Sequence, residues 1–257
     1  MTARHMVLIH GICSSGKLWG EMTAALQQRG FTVHTPTLRY HELPFLEGAQ
    51  KMAELSISDY ARDLVELVKA LDGPPILMGW SMGGLLAQIV AGRVEHQGMI
   101  LLVPAPTAGM FNLYPSMVGM FMYHFMQPTF WRKPFYPTWE AFRKNVAPQQ
   151  SESFARELFN QLCAESGRAI AEMAYWPFDP YKATSVNPAL VSKPVLVIGA
   201  GHDRIVAPQV GGVTARRYKR GRYELLPEPD HMLILGPALP RVLDHIDQWL
   251  NDERLTP

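Results

Sequence analysis

Cysteine is scarce in this 257-residue chain, which carries Cys13 and Cys163 and no other. Two thiols without CxxC spacing exclude a disulfide framework and the usual zinc and thiol-redox signatures. A reducing compartment, the cytoplasm, is the expected location. An excess of one charge is also missing, since 24 Lys and Arg stand against 23 Asp and Glu for a net charge of +1. That balance gives no basic tail or wrap for nucleic acid. Long hydrophobic runs are absent as well. The most apolar region, Met110 to Trp131, is broken by Asn112, Pro115, His124, Gln127 and Pro128, so it falls short of the ~20 apolar residues of a membrane span. The apolar run Met6 to Ile9 stops at His10 and Gly11, too soon for the core of a signal peptide. Weak contact between the Met110 region and a lipid surface is the most that is expected of a membrane. What is plentiful is core material. Hydrophobic residues make up 47% and charged residues 18%, as in one globular domain carrying a large insertion.

Short runs rich in Val, Ile and Leu occur at Met6–His10, Phe31–Thr35, Ile76–Trp80, Met99–Val103, Val195–Ala200 and Tyr223–Leu226. They predict six strands. Leu18, Trp19, Met22 and Leu26 share one helical face, as do Tyr60, Leu64, Leu67, Val68 and Leu71. A third helix is expected from Ser81, and a last one over about 240–252 that turns Val242, Ile246, Trp249 and Leu250 inward. Near-continuous apolar strands alternating with helices imply an α/β protein with a doubly wound, mainly parallel sheet covered on both faces. Between Pro104 and Ser192 the rhythm stops, and helical patterns appear around Phe154–Leu162. The expected division is a sheet domain of residues 1–104 and 192–257 with a helical lid of residues 105–191 over one edge.

Gly79-Trp80-Ser81-Met82-Gly83 follows an apolar strand and opens a helix, the setting of a nucleophile elbow. Flanking glycines permit the sharp turn that leaves a serine hydroxyl exposed at the strand tip. A hydroxyl is a weak nucleophile until a base takes its proton, so a histidine and an orienting acid are required. Downstream lie His202, His231 and His245. His231 follows the last strand on a loop that can reach the sheet tips, whereas His245 falls within the final helix and His202 sits beside the expected acid. Asp203, two residues beyond Gly201 at the end of the penultimate strand, is the expected acid. Asp179 is a weaker candidate, and Asp230 is better placed to cap its own loop. The oxyanion of a tetrahedral state needs donors, expected from the backbone N–H groups of Met82 and of Ile12 in the loop His10–Gly16. Cys13 in that loop reads as a small packing residue rather than a reactive thiol.

Taken together, His10-Gly11 with Trp19 downstream, the elbow at Ser81, the acid at Asp203 and the base at His231 resemble the α/β-hydrolase superfamily over essentially the whole chain. The chain starts at the strand before the oxyanion loop, so the resemblance is to a sheet trimmed of its two leading strands. The start Val7-Leu8-Ile9-His10-Gly11-Ile12-Cys13 looks like the branch of plant methylesterases and hydroxynitrile lyases. The lyases carry Thr at the position of Gly11 and Lys at that of Met232, and here the esterase residues stand at both. The elbow is similar to that of bacterial carboxylesterases and monoacylglycerol lipases, with Trp80 where many relatives have His. The resemblance implies a serine hydrolase of the carboxylesterase or lipase type that uses no cofactor and no metal.

Met110, Met117, Met120, Met122 and Met126 are interleaved with Phe111, Phe121, Phe125, Phe130 and Trp131. Soft thioethers and rings can adapt to an acyl chain or an aromatic alcohol, or can simply pack the insertion onto the sheet. Trp80, Met120, Phe121, Phe125 and Met232 are the expected substrate contacts, while His124 is expected to have no chemical duty. The expected partner is an apolar small-molecule ester. Lactones, thioesters and carbon–carbon bonds of diketones pass through similar tetrahedral states and remain alternatives. So does a ligand receptor that keeps the triad with little turnover.

Overall fold

Runs of Val, Ile, Leu and Met bury both faces of a strand and therefore need helices on both sides of the sheet. The computed structural model, which describes residues 4–111 and 115–257, arranges them that way. Asn112 lies outside the described residues, as do the side chains of Pro115 and Met117. The strands are β1 (His5–Ile9), β2 (Thr32–His34), β3 (Ile76–Trp80), β4 (Gly98–Leu102), β5 (Val195–Ala200) and β6 (Gly221–Leu226). The helices are α1 (Gly20–Gln28), α2 (Phe45–Met52), α3 (Ile57–Lys69), α4 (Met82–Ala91), α5 (Pro115–Phe125), α6 (Trp139–Asn145), α7 (Glu152–Asn160), α8 (Gly167–Ala174), α9 (Pro208–Arg216) and α10 (Leu239–Asp252).

The sheet order is β2-β1-β3-β4-β5-β6, and every pairing is parallel. The chain thus leaves β1 for one edge and returns to its other side, so the direction of winding reverses between β1 and β3. Loops leaving neighbouring strand ends part at such a point and open a crevice beyond the carboxyl ends. The segments that leave β1 and β3 are the loop that begins at His10 and the turn at Ser81. All six expected strands are present, with boundaries shifted by at most two residues.

One apolar layer packs Met6, Leu8, Met78, Ile100 and Leu196 against Trp19, Met22, Ile246 and Trp249. The other packs Val7, Ile9, Leu77, Met99 and Val197 against Tyr60, Leu64, Leu85 and Leu86. This alternation of strand residues between layers is the period-two geometry of a strand. The segment between β4 and β5 holds α5 to α8 and, among the described residues, no strand beyond a single antiparallel bridge between Phe135 and Glu165. Its Phe121, Phe142, Ala155 and Leu158 belong to the same apolar cluster as the sheet residues Met6 and Leu8. No helix among the described residues is long and apolar enough to cross a membrane.

Candidate active site

Glycine governs the turn after β3. A Cβ on Gly79 would stand 2.1 Å from the carbonyl oxygen of Gly83, and one on Gly83 would stand 2.0 Å from that of Ile9. Strand, turn and helix therefore approach as closely as backbone allows. Ser81 between them adopts φ 57° and ψ −122°, a conformation that costs a non-glycine residue of the order of 1–3 kcal/mol. Neighbours hold it there. Its N–H donates to the Leu102 carbonyl at 3.0 Å, and its own carbonyl accepts from Gly84 and Ala105 at 2.9 Å each. Although Ser81 occupies the N-cap of α4, its hydroxyl does not cap the helix. Oγ is left to the cavity.

That cavity is narrow and apolar, and Ile12, Trp80, Ser81, Met120, His231 and Met232 all line it. His231 is buried, and its Nδ1 lies 2.7 Å from Oδ2 of Asp203. Asp203 is fully buried and its other oxygen accepts from the N–H groups of Ile205 at 2.7 Å and Val206 at 2.9 Å. A carboxylate with only acceptors to offer fixes the proton on Nδ1 and leaves Nε2 with a lone pair. The Trp80 indole N–H donates to the His231 carbonyl at 2.9 Å, and the two rings lie 5.1 Å apart. Trp80 thus holds the histidine as well as walling the cavity, a second contact that its place in the motif does not announce.

The loop after β1 meets the elbow at Gly11, where a Cβ would come within 2.9 Å of the Trp80 ring and 3.0 Å of Ser81 Cβ. No larger residue fits there beside Trp80. His10 is buried, with Nε2 accepting from the Leu38 N–H at 3.0 Å and Nδ1 donating to the Gly11 carbonyl at 2.8 Å. Burial, reinforced by the neighbouring His41, pushes its pKa down to about 3. His10 is neutral, and it anchors the peptide whose other end is the Ile12 N–H. Sequence reasoning gave His10 no task, although the His-Gly pair was its signal. At the helix side, Met82 is the first residue of α4, where an N–H has no intrahelical acceptor.

Phe121 and Phe125 do not line the cavity but pack with each other, Phe121 on Phe135 and Phe125 on Phe130. Phe121 is buried in that aromatic cluster and Phe125 is half-buried. Instead α6 and α7 supply Phe142 and Leu158, and Ile205 follows the acid. Asp179 accepts from the Tyr181 and Ala183 N–H groups in its own turn, and Asp230 accepts from Met232 at 2.9 Å and from Gln149 at 3.0 Å. His202 is exposed, and His245 on α10 faces Glu224 at 3.8 Å. Burial, with Glu165 beside it, raises the Cys13 thiol pKa well above its ordinary value.

A doubly wound parallel sheet with a strained serine at its switch point defines the architectural class. The chain belongs to the alpha/beta hydrolase family, whose model matches residues 6–239. A pyrethroid hydrolase of Sphingobium wenxiniae is 30% identical over 112 residues, a match spanning 42% of this chain and 38% of that protein's length. Among solved structures, a methylesterase from Arabidopsis, MES16, superposes with a TM-score of 0.70 at 16% identity, covering 95% of this chain and 99% of that one. Tomato methylketone synthase I, complexed with 2-tridecanone, gives 0.71 at 14% identity, covering 98% and 99%. A pyrethroid hydrolase from Sphingobium faniae gives 0.66 at 20% identity, covering 97% and 98%.

Proposed function

We propose that this chain is a serine hydrolase that cleaves a carboxylic ester of a neutral, apolar small molecule through an acyl-enzyme. The observation that carries this reading is the meeting of Ser81, in its strained turn, with His231 and the buried Asp203 around one apolar cavity. Ser81 Oγ attacks the carbonyl carbon while His231 Nε2 takes its proton, and Asp203 stabilises the imidazolium. The Ile12 and Met82 N–H groups receive the oxyanion, each such donor being worth roughly 10² to 10³ in rate. His231 then returns the proton to the departing alcohol. A water molecule, deprotonated by the same ring, attacks the acyl carbon and releases the acid.

The cavity wall carries no lysine, arginine, aspartate or glutamate. A buried, unpaired charge on the substrate would therefore go uncompensated. The insertion of residues 105–191 acts as a lid in this reading, because Met120, Phe142 and Leu158 come from it. Similarity to a pyrethroid hydrolase and to a methylesterase supports esters ahead of lactones, thioesters or diketones. Both cysteines stand as free thiols, which fits a cytoplasmic setting.

Steady-state hydrolysis of p-nitrophenyl butyrate, compared between the wild-type chain and Ser81→Ala, tests the proposal. A loss of roughly 10⁴-fold or more in kcat is expected. Equal rates would overturn it, and covalent labelling of Ser81 without sustained turnover would favour a receptor instead.

A further inference from the structure

Among the carboxylates of the insertion that the chemistry above does not use, Glu165 is the most deeply buried. It is fully buried, and its oxygens accept from the Tyr60 hydroxyl at 2.9 Å, the Ser166 N–H at 2.7 Å, His41 Nε2 at 3.1 Å and the Cys13 N–H at 3.4 Å. His41 is equally enclosed, with Nδ1 3.2 Å from the Arg39 carbonyl. Both ring nitrogens face acceptors, an arrangement that favours a ring carrying both protons. Burial alone would lower the His41 pKa, but the charge and hydrogen bond of Glu165 hold it above its ordinary value. Enclosing such a pair costs several kcal/mol per ion, and well-packed apolar residues often serve stability as well. The question is what else this pair holds.

It holds the oxyanion loop. Cys13 lies in the left-handed region at φ 56°, uncommon for a residue with a side chain. The insertion grips it at both ends, Glu165 taking its N–H and the Cys163 N–H donating to its carbonyl at 3.0 Å. Cys163 Sγ adds a contact to the Ser14 carbonyl at 3.2 Å. From the body of the sheet domain, His10 fixes the Gly11 carbonyl. The Ile12 N–H therefore lies between two anchored groups, the Gly11 carbonyl held by His10 and the Cys13 N–H held by Glu165. We propose that Glu165 is a positioning residue for the oxyanion hole, so that the insertion fixes the geometry of the donor loop as well as walling the cavity. This inference rests on the reading of Ile12 as an oxyanion donor.

Glu165→Gln separates the roles. The Ser166 N–H and the Tyr60 hydroxyl claim the amide oxygen, the amide NH₂ turns to a His41 that is now neutral and accepting, and Cys13 loses its acceptor. For p-nitrophenyl butyrate, kcat should fall about 10-fold with KM within about twofold of wild type. Affinity for a trifluoromethyl ketone, which adds Ser81 to form an oxyanion, should fall by about the same factor. Tyr60→Phe removes a different donor from the same carboxylate and should leave kcat within about twofold. If Glu165→Gln is not recovered folded, Glu165→Asp keeps the charge but draws the carboxylate back from Cys13, and the same loss in kcat is expected. A folded Gln or Asp variant with wild-type kcat, or a Tyr60→Phe loss as large as that of Glu165→Gln, would overturn the inference. A wild-type chain inert toward the ester would instead overturn the functional reading.

Discussion

Trp80 shows how much one side chain can settle. It blocks any Cβ at Gly11, walls the cavity and donates to the carbonyl of His231. Replacing it with Phe keeps the ring but removes the donor, a neutral hydrogen bond worth about 1 kcal/mol. Trp80→Phe should lower kcat/KM about fivefold, and an unchanged rate would show that His231 needs no such support. His10 makes a prediction about pH. Its folded pKa, pushed down to about 3 by burial and by His41, lies below the ~6.5 of an unfolded histidine, so the unfolded chain takes up the proton first. Its contribution is intact above about pH 6.5 and declines by up to about 1.4 kcal/mol per pH unit on acidification toward 3. His41, raised by Glu165, has the opposite sign, since its contribution is lost as pH rises through its folded value. Thermal melts at pH 7 and pH 5 should fall more steeply with acid for wild type than for His10→Asn, which can still donate to Gly11. Parallel slopes would sink the assignment. At this scale the sequence announced Ser81, Asp203 and His231 because each ends or follows a strand. It was silent on Glu165 and on the second contact of Trp80, which arise where distant segments meet.

Among the elements, legibility followed periodicity. α3 carries Tyr60, Leu64 and Val68 on its buried face and starts with a capping box, Ser56 with Asp59, so pattern and boundary agree. α2 and α9 escaped notice. α2 leaves Phe45 and Leu46 exposed, which blurs its stripe, and α9 contains Gly211 and Gly212, poor helix formers. The structure gives the reason at Gly211, where a Cβ would meet the Tyr223 ring at 2.6 Å as the helix crosses β6. The strand–elbow–helix unit is the least tolerant of all. Gly83→Ala forces a methyl group onto the Ile9 carbonyl and should cost roughly 3 kcal/mol or more. Gly20→Ala, on α1 with nothing within 4 Å of the new Cβ, should stabilise by about 0.5–1 kcal/mol. Urea midpoints of the two variants read both numbers, and a tolerated alanine at 83 would mean that the elbow is looser than its contacts require.

For the molecule as a whole, the run of helices between β4 and β5 was visible as a break in strand rhythm, but how that segment packs was not. Methionines and aromatics in a row fit a substrate channel and a packed interior equally well, and only the tertiary structure separates Met120 on the cavity wall from Phe121 and Phe125, which stack on each other. A narrow apolar cavity should discriminate chain length at roughly 1–3 kcal/mol per methylene where it fits. Across p-nitrophenyl esters from acetate to dodecanoate, kcat/KM should pass through a sharp maximum; a flat series would mean that the wall does not contact the acyl chain.

In the proposed mechanism His231, oriented by Asp203, activates Ser81 in that cavity. Fluorophosphonate labelling of the full chain, read by intact mass and peptide mapping, tests it most directly. One adduct on the peptide bearing Ser81 is expected, absent from Ser81→Ala and at least about 100-fold slower in His231→Ala. Labelling at another residue, or at an undiminished rate without His231, would contradict the account.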